Sequence, residues 1–167
     1  MKKVFLLVFV SLLATQCAKK NQTMDDQLSA KRDSASVEEQ AGQSRSQQSE
    51  EVEQAAASVL QTIYFPFDAY TLSDEARDRL AEIGRFLKRF PAVRLGIEGY
   101  CDERGSAEYN MALGQRRADE VKNYLVQYGI DAGQFTTTSW GEERPAVEGS
   151  SESAWSQNRR AEFQRLD

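Results

Sequence analysis

The residues able to do chemistry in this chain crowd into one stretch, CDERGSAEYNMALGQRR, at 101–117. Asp102, Arg104, Asn110 and Arg117 supply a carboxylate, two guanidiniums and an amide. The chain contains no histidine. That absence removes serine–histidine and cysteine–histidine nucleophilic pairs, histidine bases and histidine metal sites. Asp102 and Glu103 are adjacent in sequence, a poor geometry for two acids flanking one bond. Carboxylate or lysine chemistry stays open, but the residue types gathered here favour non-covalent binding. A guanidinium offers paired planar donors to a carboxylate, and a carboxylate complements an ammonium. The expectation is a binding site with no catalytic residue, no cofactor and no metal.

A helix must position these groups. In NMALGQRRADEVKNYLVQY, residues 110–128, each position advances about 100°. With Leu113 at zero, Gly114, Ala118, Val121, Tyr124, Leu125 and Tyr128 fall within an arc of roughly 140°, the width of a buried face. Arg117 falls inside that arc at about 40° and Asn110 at about 60°. A charge on the buried side must be paired or must meet a ligand. Two readings of Arg117 follow: an ion pair with Asp68 or Asp102, or a contact to an anionic ligand. Asp102 reads either as a ligand contact or as a cap for the helix that follows it. Asn110 bonds loop backbone or ligand, and Arg104 is a solvated charge or a contact. Core packing is the default for Phe67 and Leu113. Loops at strand ends beside helix N-termini are ready anion sites, and EGYCDERGSAEYN is such a loop, bracketed by Gly99 and Gly105.

The remaining elements follow from periodicity. TIYFPFD alternates and is aromatic, which predicts a strand. LSDEARDRLAEIGRFLKRFP predicts a helix capped by Ser73 and stopped by Pro91, with the stripe Ala76, Leu80, Ile83, Leu87 and Phe90. VRLGIEGY is a second strand, QFTTTSWG a third and RRAEFQRL a last, with a short helix in SSESAWSQN. The fold class is therefore α+β: a mixed four-stranded sheet with two main helices on one face, in the order β-α-β-α-β-short α-β. Arg159 alternates with Ala161 and Phe163, so it shares their packed side and reads as a buried ion pair. Trp140 and Trp155 read as core or rim aromatics.

Ahead of this domain the chain has a different character. Lys2 and Lys3 precede a run from Val4 to Leu13 that is apolar except for Ser11. The run is too short to span a bilayer as a helix and fits a signal-peptide core. It ends at Ala14-Thr15-Gln16-Cys17 and resembles a bacterial lipoprotein signal, with Cys17 as the lipidated first residue. The alternative is a plain signal peptide cut elsewhere, leaving a free thiol. With Cys17 lipidated, Cys101 has no partner and reads as a small buried apolar residue. Residues 17–58 are rich in Gln, Ser and Glu and read as a flexible tether, with SEEVEQAAASVLQ helical near its end. Such a coil averages roughly 35 Å end to end. The expected organisation is 1–16 signal, 17–58 lipidated cysteine and tether, 59–167 folded domain. Net charge is −5, and from residue 59 onward 14 Lys/Arg face 18 Asp/Glu. No basic surplus is visible, which argues against nucleic acid.

YFPFDAY, GYCDERGSAEYNMALGQRRADEVKNYL, SWGEERPAVEG and NRRAEF, in this order and spacing, resemble the OmpA-like peptidoglycan-binding domain family, in the form carried by lipoproteins of the Tol–Pal system. The resemblance covers nearly all of 63–166, and its D-x-x-G…N-x-x-L-x-x-x-R spacing is filled at Asp102, Gly105, Asn110, Leu113 and Arg117. It implies an outer-membrane lipoprotein whose domain faces the periplasm and grips the peptide stem of peptidoglycan. The stem commonly carries diaminopimelate, with a free ammonium and a free carboxylate. The resemblance implies that Arg117 holds the carboxylate and Asp102 the ammonium, with Phe67, Asp68, Arg104 and Leu113 lining the same pocket. It implies a TolB-like periplasmic protein as a second partner, and a role in envelope integrity and cell division. The competing reading is an envelope lipoprotein of the same family whose domain mainly binds a protein. Members often carry His or Asn after the loop's first glycine; here Tyr100 and Cys101 follow Gly99.

Overall fold

The computed structural model describes residues 45–166. The signal segment, Cys17 and the tether up to residue 44 lie outside the described residues. The compact unit runs from Ser46 and opens with a helix, α1, over 45–59. Then follow β1 (Ile63–Tyr64), α2 (Asp74–Arg89), β2 (Leu95–Tyr100), α3 (Ala107–Gln127), a 3-10 turn (Ala132–Gln134), β3 (Phe135–Gly141), α4 (Glu152–Asn158) and β4 (Arg160–Arg165). The strands form one sheet in the order β1-β4-β2-β3. β4 is antiparallel to both β1 and β2, and β3 is parallel to β2. The sheet is mixed, as the element order predicts.

Local chemistry explains the boundaries. Ser73 accepts from Ala76 N–H at the start of α2, with Asp74 and Glu75 in its first turn and Lys88 and Arg89 in its last, each charge complementing the helix dipole. Ala76, Leu80, Ile83 and Leu87 are buried and Phe90 packs beside them. They meet Leu95 and Ile97 of β2, Val121 and Leu125 of α3 and Ala161 of β4 in one core. Full burial of one such aliphatic side chain contributes about 1.5–3 kcal/mol.

Two expectations are corrected. TIYFPFD is a strand only at Ile63–Tyr64. Phe65 N–H still bonds Arg159 O at 2.9 Å, but Pro66 has no N–H to give and Asp68 turns the chain with φ 52°. The domain also begins before Val59. Ala56 is buried, and Val52, Ala55, Val59 and Leu60 pack against the core. Glu51 pairs with Arg89 at 2.5 Å and Glu53 with Arg165 at 2.6 Å. The sparse apolar residues of 52–60 lie on one helical stripe, so a segment of polar average composition still buries a face.

Helix α3 sits unusually close to the sheet. A Cβ on Gly99 would lie 1.9 Å from Gly114 O, and one on Gly114 would lie 2.3 Å from Ser139 Oγ. Backbone therefore meets backbone, and the side chains one turn to either side of Gly114, Asn110 and Arg117, come down at the end of β2.

Candidate functional site

The ends of β2 and β4, the start of α3 and the loop after β1 enclose a cleft of about 230 Å³. All seven residues named from the sequence line it: Phe67, Asp68, Asp102, Arg104, Asn110, Leu113 and Arg117. Cys101, Gly105, Tyr109 and Arg159 complete the wall. Sequence reasoning misses Tyr109: one turn before Leu113, at about −40°, it falls just outside the inward arc and is half exposed on the rim.

Arg117 is fully buried, at 0% exposure. Its Nε donates to Ala69 O at 2.9 Å, Nη1 to Tyr100 O at 2.7 Å and Nη2 to Pro66 O at 3.3 Å. Nη1 also lies 3.4 Å from Cys101 Sγ. Among the described residues no carboxylate forms an ion pair with it, so the internal ion-pair reading is corrected: the guanidinium gathers main-chain carbonyls. Both proposed partners are engaged elsewhere. Asp68 accepts from Tyr109 Oη, and Asp102 is held by two other arginines. Burial pushes the Arg117 guanidinium down from its ordinary value, while Cys101 beside it and the more distant Asp102 and Asp68 oppose the shift.

Asp102 is 4% exposed. Its Oδ1 accepts from Arg104 N and Nε, both at 3.1 Å; its Oδ2 accepts from Arg104 Nη2 at 2.7 Å and Arg159 Nη1 at 3.2 Å. A carboxylate has about four acceptor positions, and these are taken. Burial alone would raise the Asp102 carboxyl, but hydrogen bonds from Arg104 and Arg159 hold it below its ordinary value. Asp102 does not cap α3; Ser106 does, accepting from Tyr109 N–H at 3.2 Å.

Asn110 takes the structural option. Its Nδ2 donates to Asp102 O at 3.2 Å, Arg104 O at 3.3 Å and the Glu142 carboxylate, which staples the loop to the helix. Arg104 is no solvated charge. Its guanidinium stacks 4.0 Å from the rings of both Phe67 and Trp155, and Trp155 Nε1 bonds Glu103 at 3.1 Å. Phe67 is 57% exposed, so it is rim and not core, whereas Leu113 is buried with its edge on the cleft. Arg159 is the expected buried ion pair. It reaches Asp102 and, through Nη2, Glu152 at 2.7 Å, while Nε bonds Phe65 O at 3.1 Å. Three guanidiniums and two carboxylates line the cleft, and Glu152 just outside it balances the count by pairing with Arg159 and lying 3.8 Å from Arg104. Arg104 and Arg159 are therefore matched, and Arg117 alone lacks a carboxylate partner among the described residues; that suits a small ligand bearing a carboxylate, with Asp68 left to meet a cationic group.

The OmpA family model matches residues 64–159, which contain this cleft. The peptidoglycan-associated lipoprotein of Pasteurella multocida is 53% identical over 100 residues, which cover 60% of this chain and 67% of that protein. That of Haemophilus influenzae is 52% identical over 100 residues, covering 60% and 65%. The matched part of the chain thus spans about two-thirds of the length of these relatives. The crystal structure of the peptidoglycan-associated lipoprotein from Burkholderia pseudomallei superposes with a TM-score of 0.62 at 39% identity, covering 64% of this chain and 90% of that one.

Proposed function

The chain belongs to the OmpA family, and on that premise we propose that it is a non-catalytic lipoprotein that binds the peptide stem of peptidoglycan and tethers the outer membrane to the cell wall. The observation that carries the reading is the buried Arg117, whose guanidinium opens onto the cleft with no carboxylate among the described residues paired to it. Diaminopimelate offers a carboxylate and an ammonium on one small side chain. Arg117 takes the carboxylate. Asp102, to which the resemblance gives the ammonium, has its acceptor positions filled by Arg104 and Arg159, so that role passes to Asp68, bonded to the Tyr109 hydroxyl. Each charge-assisted hydrogen bond contributes about 1.5–3 kcal/mol. Phe67 and Leu113 supply apolar walls to the stem.

In the same reading Cys17 carries the lipid, the residues between it and α1 form the tether, and the domain faces the periplasm. A TolB-like protein of the Tol–Pal system is the second partner, and the tether supports envelope integrity and division. The test is titration calorimetry of the chain with a diaminopimelate stem peptide beside a lysine-stem control. Binding of the first alone supports the assignment, and equal binding refutes a role for the side-chain carboxylate. No binding to either refutes the stem reading and leaves a protein partner. Incubation with purified cell-wall sacculi checks the chemistry: bound protein without released soluble fragments is expected of a tether.

A further inference from the structure

Arg117 has five N–H groups, and hydrogen bonds within the fold use four of them. Three acceptors are the carbonyls of Ala69, Tyr100 and Pro66, which side-chain substitution does not remove. The fourth is the sulfur of Cys101, 3.4 Å from Nη1. It is the one side chain among the four acceptors, and so the one of these hydrogen bonds that a side-chain substitution changes; the Phe65 ring, 5.2 Å from the guanidinium carbon, accepts none of the four. The thiol hydrogen is committed elsewhere: Sγ donates to Asn110 O at 3.2 Å, which leaves a sulfur lone pair for Arg117. Cys101 N–H bonds Gly141 O at 2.7 Å, beside the irregularity in the β2–β3 ladder, so the backbone fixes where the sulfur sits. Cys101 is 3% exposed and lines the cleft.

Sulfur is a weak acceptor and a carboxylate a strong one. An N–H held by Tyr100 O stays with the fold, while an N–H held by Sγ is open to a better acceptor. Two hydrogens then remain for a ligand, one on Nη2 and the one on Nη1 lent to sulfur. They lie on different terminal nitrogens, which is the arrangement of an end-on two-pronged contact to a carboxylate. Burial pushes the thiol up to about 11 although Arg117 pulls it down, so at neutral pH it is no competing anion.

We propose that Cys101 is a specificity-determining positioning residue, whose sulfur holds one Arg117 hydrogen in register and yields it to a ligand carboxylate. This rests on the reading of the cleft as a stem-peptide site. The test uses the full chain and two variants, Cys101→Ser and Cys101→Ala, each titrated with the diaminopimelate stem and the lysine stem. Serine keeps the bond to Asn110 O and is the stronger acceptor for Nη1. It should weaken the diaminopimelate stem about three- to tenfold, while the lysine stem shows no measurable binding, as with the parent. Alanine removes the competitor and should bind the diaminopimelate stem as tightly as the parent or more so. The inference is overturned when the Cys101→Ser variant and the parent bind alike, or when alanine costs as much as serine, since that pattern reports packing. A parent chain that does not distinguish the two stems overturns the underlying reading, and this inference with it. Should a variant melt early, guanidinium NMR of the parent decides. One Nη1 hydrogen should shift on adding the diaminopimelate stem while the Nε hydrogen stays, and an unmoved Nη1 signal overturns the inference.

Discussion

Arg117→Ala should cost stability as well as binding, and the structure sets the size of the loss. The substitution strands three carbonyls. Tyr100 O is buried, and a buried acceptor left without a donor costs about 1–3 kcal/mol. Ala69 O and Pro66 O are only partly buried and regain water, so each loses about 0.5–1 kcal/mol. The void left by a side chain at 0% exposure adds to this, as cavities do, while removal of a desolvated charge gives some back. The net is a loss of about 3–4 kcal/mol, which for a domain of this size lowers Tm by roughly 12–16 °C. Urea unfolding followed by circular dichroism measures it. Binding of the diaminopimelate stem is then titrated at a temperature where the variant is fully folded, and it should be lost. Arg117→Lys keeps the charge but not the planar fork; it should recover part of the stability and little of the binding. An alanine variant within about 1 kcal/mol of the parent would refute the reasoning that these carbonyls depend on Arg117, and a lysine variant that binds like the parent would refute the need for a fork.

Gly99→Ala should be among the most damaging single changes, because its Cβ would sit 1.9 Å from the Gly114 carbonyl oxygen; a loss of about 3 kcal/mol or more is expected in urea titration. The pH dependence of stability should carry the signature of Asp102. Its carboxyl is held below the ordinary value of 3.8, so its contribution is fully present above that value and drains away as pH falls toward the lower folded value. Asp102→Asn should flatten this acid limb and cost about 1–3 kcal/mol at neutral pH, since Arg104 and Arg159 lose Asp102 while Glu152 still holds Arg159 at 2.7 Å. A chain shortened to begin at Val59 should still fold but lose about 1–3 kcal/mol in thermal or urea melts, because it gives up the Ala56 burial and the Glu51–Arg89 and Glu53–Arg165 pairs.

Periodicity determines much of this molecule without help from tertiary contacts. The stripe of α2, its Ser73 cap and the alternation of β2 and β4 are local properties of side-chain spacing, and each element forms where its spacing predicts. The inward placement of Arg117 and Asn110 is equally local, because a helix carries both on the face of Leu113 and Val121 whatever it packs against. Their partners are not local. Whether Arg117 meets a carboxylate or a carbonyl depends on where the turn after β1 brings Pro66 and Ala69, some fifty residues away in the chain. That turn depends in turn on Asp68 adopting φ 52°, which alternation in TIYFPFD does not reveal. Asp102 is claimed by Arg159 from the far end of the chain only because β4 lies between β1 and β2. Composition misjudges residues 46–58 for the opposite reason: a segment polar on average buries a few small apolar residues once a core is there to receive them. Spacing along α2, α3, β2 and β4 sets which of their side chains face inward. Tertiary structure decided which of those buried charges are satisfied by the protein and which one is left facing the cleft, because pairing across the chain depends on strand order and loop conformation, and neither is encoded in spacing along one element.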